Sequence, residues 1–382
     1  MYTDPLHLFE THTLFPVPHA GTLQPHRLLL AIVLGPVIGL TGNPVLAYNV
    51  GLFAACLFTA LAGRHLALAL GLTPVAAWSA GALYAFHTYQ VNEAPRLDLL
   101  LHAFTPLALA ALVRYLRHGR RRDAWQAAGL MLLQGLGSNY LLLYGALVTA
   151  LVLAGAAIAR PRLLARRAAG LLLPAAAAAS LFLPVLVPLA RSAAEYEMAR
   201  EVPTGIDLRL YAATAPRNLL YGPIGGEVRR QQRAAHFVGF AAMALAALAV
   251  ATCRRGGEPE TALLPARVWV PAAAGLALLL VLFSLGRDMH AWGAPLGPGP
   301  YRLLHAFVPG FAFVRIPERF ALLAMGFVAL LAGRGLHVVE AAGWRRAALA
   351  LAALVPLEHL SLLPQHERVP VGRRLPAVYG WA

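Results

Sequence analysis

The stretch VPGFAFVRIPERFALLAMGFVALL, residues 308–331, decides the fold. From Phe320 to Gly333 every residue is apolar or glycine, and directly in front stand Arg315, Glu318 and Arg319. A run of that kind fits the core of a lipid bilayer, and the charges at its mouth fit a membrane–water boundary. Working outward, the same alternation of apolar run and charged loop recurs along the 382 residues, of which 59% are hydrophobic and 13% charged. The mean hydropathy of +0.62 lies far from that of a soluble globular domain. The chain reads as an all-α polytopic membrane protein, a transmembrane helical bundle whose outer loops carry short interfacial helices.

A net charge of +15 comes from 32 arginines with no lysine. Such a charge suits nucleic acid only when it forms a continuous basic surface. Here the arginines cluster between apolar runs, as loop charges do, and the expected partner is the lipid bilayer, with no nucleic acid. Cys56 lies within one apolar run and Cys253 at the end of another, so neither suggests a disulfide framework or a zinc site. The opening MYTDPLHLFETHTLFPVP is polar and aromatic, unlike a cleavable signal peptide.

A span needs about 20 mostly apolar residues. Ten are expected, at 45–63, 73–88, 99–116, 124–137, 140–159, 168–190, 235–252, 268–285, 320–336 and 345–362. The fourth and fifth are parted by the Gly135, Gly137, Ser138, Asn139 cluster, which supplies a break. Half of the arginines fall in one alternating set of loops totalling about 55 residues. The other half are spread over about 150 residues together with 13 of the 17 carboxylates. That density difference places the first set in the cytoplasm. The outer loops are then 89–98, 191–234 and 286–319, and residues 1–44 form an outer loop whose apolar run 26–40 is too short to cross and reads as an interfacial or re-entrant helix. The module proper is 45–382.

Several stretches, in order, carry a resemblance: DPLHLFETHTLFPVPHAGTL with GNPVLAYNVGLF; GALYAFHTYQVNEAPRLDLLLHAFTPLALAALVRYLRHGRRRDA; LGSNYLLLYGALV; PYRLLHAFVPGFAFVRIPERFALLA; and LPAVYGWA. Together they resemble the bacterial polytopic proteins of the GT-C glycosyltransferase superfamily. That resemblance implies a multi-pass protein of the bacterial inner (plasma) membrane. It also implies sugar transfer from a polyprenyl-phosphate-linked donor to an envelope glycan or protein acceptor on the outer face. Relatives carry a first span before the DPLHLF loop with a catalytic carboxylate just outside it. By that comparison the chain is truncated at both ends and the principal carboxylate is expected upstream of Met1.

The outer charges have a chemical reading of their own. A departing phosphate needs cations and an attacking hydroxyl needs a base. The planar fork of arginine pairs well with phosphate oxygens. Arg315 and Arg319, four apart, share a face if both are helical, with the helix starting near Pro317 and Glu318 in its first turn. They read either as phosphate contacts or as interfacial anchors with Glu318 capping the helix. Arg96 and Asp98 read either as a local ion pair or, with Glu93, as lining of the donor cavity; His102 reads as a polar core residue. Asp4 and Glu10, with His12 nearby, are the catalytic candidates within the chain. No motif specifies a cofactor; a divalent metal ion at Asp4 and Glu10 stays open, though the spacing follows no strict ligand pattern. Segment 191–233 suits an acceptor-binding lid or an amphipathic surface helix, and Glu358 and His359 are expected to be solvated. The rivals to an enzyme are a transporter or lipid flippase, which buries charge or broken helices mid-membrane, and an inactive scaffold.

Overall fold

In the computed structural model, which describes residues 9, 19–23, 26–196, 205–215, 218–222, 235–254 and 264–361, each of the ten expected stretches contains a helix. After a 3₁₀ turn at Ala20–Leu23 come α1 (Leu28–Thr41), α2 (Pro44–Ala69), α3 (Pro74–Phe86), α4 (Thr88–Asn92), α5 (Leu97–Leu100), α6 (Phe104–His118) and α7 (Arg121–Gly137). The chain continues through α8 (Asn139–Ala159), α9 (Pro161–Glu195), α10 (Phe240–Thr252), α11 (Ala266–Ser284), the β1–β2 hairpin (Asp288–Ala291, Ala294–Pro298), α12 (Tyr301–Phe307), α13 (Phe320–Ala341) and α14 (Arg345–Leu357). Among the described residues, six helical segments are long and apolar enough to cross a bilayer: α2, α5–α6 together, α8, α9, α11 and α13 with its preceding turn. The protein is thus a helical membrane protein. The remaining expected spans, carried by α3, α7, α10 and α14, are helices of 13 to 17 residues and fall short of that length.

Sequence dictates the helix ends. Asn43 and Thr73 accept from the backbone N–H of Leu46 and Ala76, and each is followed by a proline at the first helical position. Gly42 and Gly119 close α1 and α6 in the left-handed conformation. At Ser138 the chain turns extended (φ −162°, ψ 121°), which is the expected break between α7 and α8. The 14-residue α1 matches the expected short helix.

Without water between them, helices in lipid associate by close packing, and small residues set the distance. On α3, a Cβ at Gly81 would collide with the Ala60 carbonyl oxygen of α2; on α13, one at Gly335 would collide with the Leu245 carbonyl oxygen of α10. The main core lies where α2, α3, α10, α11, α13 and α14 meet, with Leu83, Val270 and Leu336 fully buried.

The span expected over 99–116 is interrupted. Between α5 and α6, at Leu101–Ala103, the helical ladder stops and frees carbonyls inside the bundle. Side chains of other elements answer them: Thr59 Oγ1 and Gln90 Nε2 donate to Leu100 O (3.0 and 3.2 Å), and Gln134 Nε2 donates to Leu101 O (2.9 Å). His102, fully buried as expected, places its Nδ1 3.2 Å from Leu99 O. A break in lipid survives only with such replacements.

Polar contacts sort to two ends of the bundle. At one end Arg114 pairs with Asp123 (3.3 Å), and Tyr115 Oη donates to Arg167 O (2.7 Å). These lie in the arginine-dense loops. At the opposite end, called outer below, the segments 87–98, 138–140, 205–215, 218–222, 235–239, 286–319 and 358–361 converge. There Asn92 Nδ2 donates to Ala235 O (3.1 Å) and Tyr144 Oη to Ile316 O (3.3 Å). The 286–319 segment carries a β-hairpin that the all-α expectation did not include.

Candidate functional site

The site grows from two short segments of irregular backbone. In the first, α4 ends at Asn92 and the turn that follows places Arg96 N on Glu93 O (2.7 Å). This turn brings the Arg96 guanidinium back onto the Glu93 carboxylate, Nη1 lying 2.6 and 2.8 Å from its two oxygens. Glu93, buried, holds Arg96 above the usual arginine range through that bond. Because α5 begins at Leu97, Asp98 falls in its first turn and faces away from Arg96. Asp98, buried, accepts instead from Arg27 Nε (3.1 Å) at the start of α1. The expected Arg96–Asp98 pair is therefore not formed; each residue has another partner.

In the second segment, Val314 and Ile316 have extended ψ values of 111° and 82°, and Pro317 opens a 3₁₀ turn over Pro317–Arg319 that leads into α13. The helix starts where the proline predicts. Extended backbone before it overturns the shared face of Arg315 and Arg319: Arg315 points to the outside, whereas Arg319 is 6% exposed. Its guanidinium lies over the Tyr140 ring, 4.7 Å from the centroid. Arg319 Nε is buried without a hydrogen-bond partner, and no carboxylate among the described residues lies within 4.0 Å of the guanidinium.

The two segments meet. Tyr89, fully buried on α4, packs with Leu141, Ala321 and Leu322 and lies in the field of Glu318, Glu93 and Arg319. Burial, reinforced by the two carboxylates, pushes its phenol well above the ordinary range, so it stays a neutral hydroxyl. Tyr89 Oη faces Glu318 without a well-formed hydrogen bond. Arg96, Glu93, Glu318, Arg319 and Tyr89 thus form one cluster at the outer end, and four of them are charged. Asp98 belongs to a neighbouring cluster with Arg27 and His26. Burial pushes His26 down to about 4 despite the facing Asp98 carboxylate, leaving a neutral imidazole with both ring nitrogens unpartnered.

Several residues at this end escaped the sequence reading. The His236 ring stacks on Tyr89 at 4.0 Å and 23°. Tyr140, on the first turn of α8, supplies the face under Arg319. Glu358, expected to be solvated, is 1% exposed and serves as a cap for another helix: its Oε1 accepts from the N–H of Phe240 and Ala241 (both 3.1 Å) and its Oε2 from Ala241 (2.9 Å). His359 is also buried, its Nδ1 accepting from Thr88 N (3.3 Å). The correction has a plain cause, since α10 begins beside the end of α14 and its orphan N–H groups need an acceptor. No local sequence signal announces a cap delivered from more than a hundred residues away.

Asp4 and Glu10 lie outside the described residues, as does most of the segment 197–234. Among the described residues no group of three or more His, Cys, Asp or Glu is placed to hold a metal ion. The chain matches no family model, no curated protein and no solved structure.

Proposed function

We propose that the chain is a GT-C-like membrane glycosyltransferase that acts on a polyprenyl-phosphate-linked sugar at the outer face, with Arg319 holding the phosphate. One observation carries the reading: a guanidinium buried over an aromatic ring, with no carboxylate bridging it. A buried cation with no carboxylate in direct contact is costly, even with Glu318 in its field, and a ligand anion offsets that cost. Tyr140 supports one face of the fork and leaves its edge for paired hydrogen bonds to phosphate oxygens. Exposed Arg315 would meet the same headgroup from the solvent side.

In the transfer, the acceptor hydroxyl oxygen attacks the anomeric carbon while the bond from that carbon to the phosphate oxygen breaks. The leaving polyprenyl phosphate takes up the electron pair, which Arg319 neutralises. The hydroxyl proton passes to a carboxylate. Within the cluster, Glu93 is tied to Arg96, whereas no Arg lies within 4.0 Å of Glu318 among the described residues, so Glu318 is the carboxylate of the cluster we assign to that proton. Asp4 and Glu10 stay the further catalytic candidates within the chain. A divalent metal ion is not assigned a place.

The transporter alternative draws on the interrupted helix at Leu101–Ala103. Its Leu100 and Leu101 carbonyls are already bonded to Thr59, Gln90 and Gln134, which leaves these oxygens spoken for rather than turned toward an ion. Proteoliposomes given radiolabelled polyprenyl-phosphate sugars and an envelope glycan acceptor test the proposal. Sugar incorporation that disappears in Arg319→Gln supports it. Lipid movement across the bilayer without incorporation supports the flippase instead.

A further inference from the structure

The β1–β2 hairpin is built at a conformational cost that nothing in the bundle explains. It turns through Trp292 and Gly293, with φ of 51° and 79°, so both central residues are left-handed. That turn matches the twist of a hairpin but calls for Asn, Asp or Gly, and a bulky residue at positive φ is a true outlier. The outlier side chain is not used for packing: Trp292 is 71% exposed. The turn is nevertheless held firmly. Asp207, buried, accepts from Trp292 N (2.9 Å) and Gly293 N (2.7 Å) with its two oxygens and from Arg209 N (2.9 Å) as well.

The clamp also fixes the height of the tip. Ile206 N donates to Ser284 O, the last residue of the span α11, and Ile206 packs with Leu285. Trp292 is therefore tied, one residue beyond Ile206, to the level at which α11 leaves the bilayer. Further uncovered apolar surface follows in the same segment: Leu296 on the hairpin and Leu303 and Phe307, one helical turn apart on α12. Arg302, within α12, is exposed and paired with Asp288 of β1, and exposed Arg315 follows α12 in sequence. The hairpin carries Asp288, paired with Arg302 of α12, at its base and apolar residues toward its tip, and a two-stranded hairpin is at best marginally stable in water alone.

We propose that the Trp292 hairpin is a membrane-docking element, seated at the headgroup–acyl boundary of the outer leaflet, with phospholipid as its partner and Asp207 as the residue that sets its depth. An indole suits that layer because its ring is apolar and its N–H polar, and exposed Arg315 suits an anionic headgroup. This stands independently of the proposed enzymatic activity.

The test leaves Trp292 as the sole tryptophan, the other five replaced by Phe, in vesicles of phosphatidylcholine and phosphatidylglycerol. Brominated lipids carry the quencher either near the headgroup or deep in the acyl chain. The expected result is loss of emission with shallow bromine, less with deep bromine, and little with aqueous iodide. Asp207→Ala is expected to lose that depth preference; its retention overturns the clamp. Emission quenched by iodide and indifferent to both lipids overturns the docking, as does a response to a soluble oligosaccharide in place of lipid. Should the multiple replacement unfold the protein, Trp292→Cys with Cys56 and Cys253 changed to Ser carries an environment-sensitive fluorophore to the same position. A blue shift on reconstitution then supports docking, and an unshifted, water-like emission overturns it.

Discussion

Replacing Glu358 tests whether the outer end is built as described. The carboxylate is almost completely buried and receives three contacts from the first two N–H groups of α10, with a fourth from Tyr221 Oη at 3.0 Å. Glu358→Gln keeps the shape but removes the charge and turns one oxygen into a donor facing Ala241 N–H. A hydrogen bond to a charged group contributes about 1.5–3 kcal/mol, and the helix-dipole interaction about 0.3–1 kcal/mol, more when partly buried. The expected loss is therefore about 2–4 kcal/mol. Glu358→Ala leaves both N–H groups without an acceptor at about 1–3 kcal/mol each, so about 2–6 kcal/mol. Equilibrium unfolding in mixed micelles, following helicity, reads both values, with exposed Glu195→Gln as a control expected to stay within about 0.5 kcal/mol. If Glu358→Gln matched that control, the residue would be solvated after all and the capping argument would fail.

Other substitutions probe the remaining claims. Gly335→Ala forces a methyl onto the Leu245 carbonyl oxygen and is expected to cost about 1–3 kcal/mol in the same unfolding assay. Gln134→Leu strands Leu101 O and Thr105 N (3.2 Å from Gln134 Oε1), so a loss of about 2–6 kcal/mol is expected; a smaller loss means the break at Leu101–Ala103 re-forms as helix. Burial tends to raise Asp207, but the N–H groups of Gly293, Arg209 and Trp292 and the Arg209 charge outweigh it and hold the carboxyl below its usual range. Its stabilising effect is therefore present above the unfolded value of about 3.9 and lost only as pH falls through the lower native value. Trp292 emission should accordingly be flat from about pH 7 to pH 5 and change only in stronger acid. Cysteine placed at 315, with Cys56 and Cys253 changed to Ser, should react with an impermeant maleimide in intact cells; reaction only after permeabilisation would put the cluster in the cytoplasm.

Periodicity and length made the helices legible. The Gly135–Asn139 break, the start of α13 at Pro317 and the short α1 all follow from local rules about glycine, proline and apolar run length. The interruption at Leu101–Ala103 was not legible, because the residues that stabilise it, Thr59, Gln90 and Gln134, lie on other helices. The same reason hid the partners of the charges. Arg96 and Asp98 sit two apart in sequence, yet the onset of α5 between them sends one to Glu93 and the other to Arg27. Arg315 and Arg319 have helical spacing, but the turn set by Pro317 starts after the first of them. Residue types at the outer end were readable from the chain, whereas their pairing depended on which helix ends the bundle brings together.

The phosphate role of Arg319 is tested most directly by binding of a polyprenyl phosphate to the purified protein in micelles, comparing wild type, Arg319→Lys and Arg319→Gln. Loss of charged hydrogen bonds worth about 1.5–3 kcal/mol predicts affinity weaker by about 10- to 150-fold in Arg319→Gln, with partial recovery in Arg319→Lys. Equal affinity in all three, with each protein folded, would contradict the account.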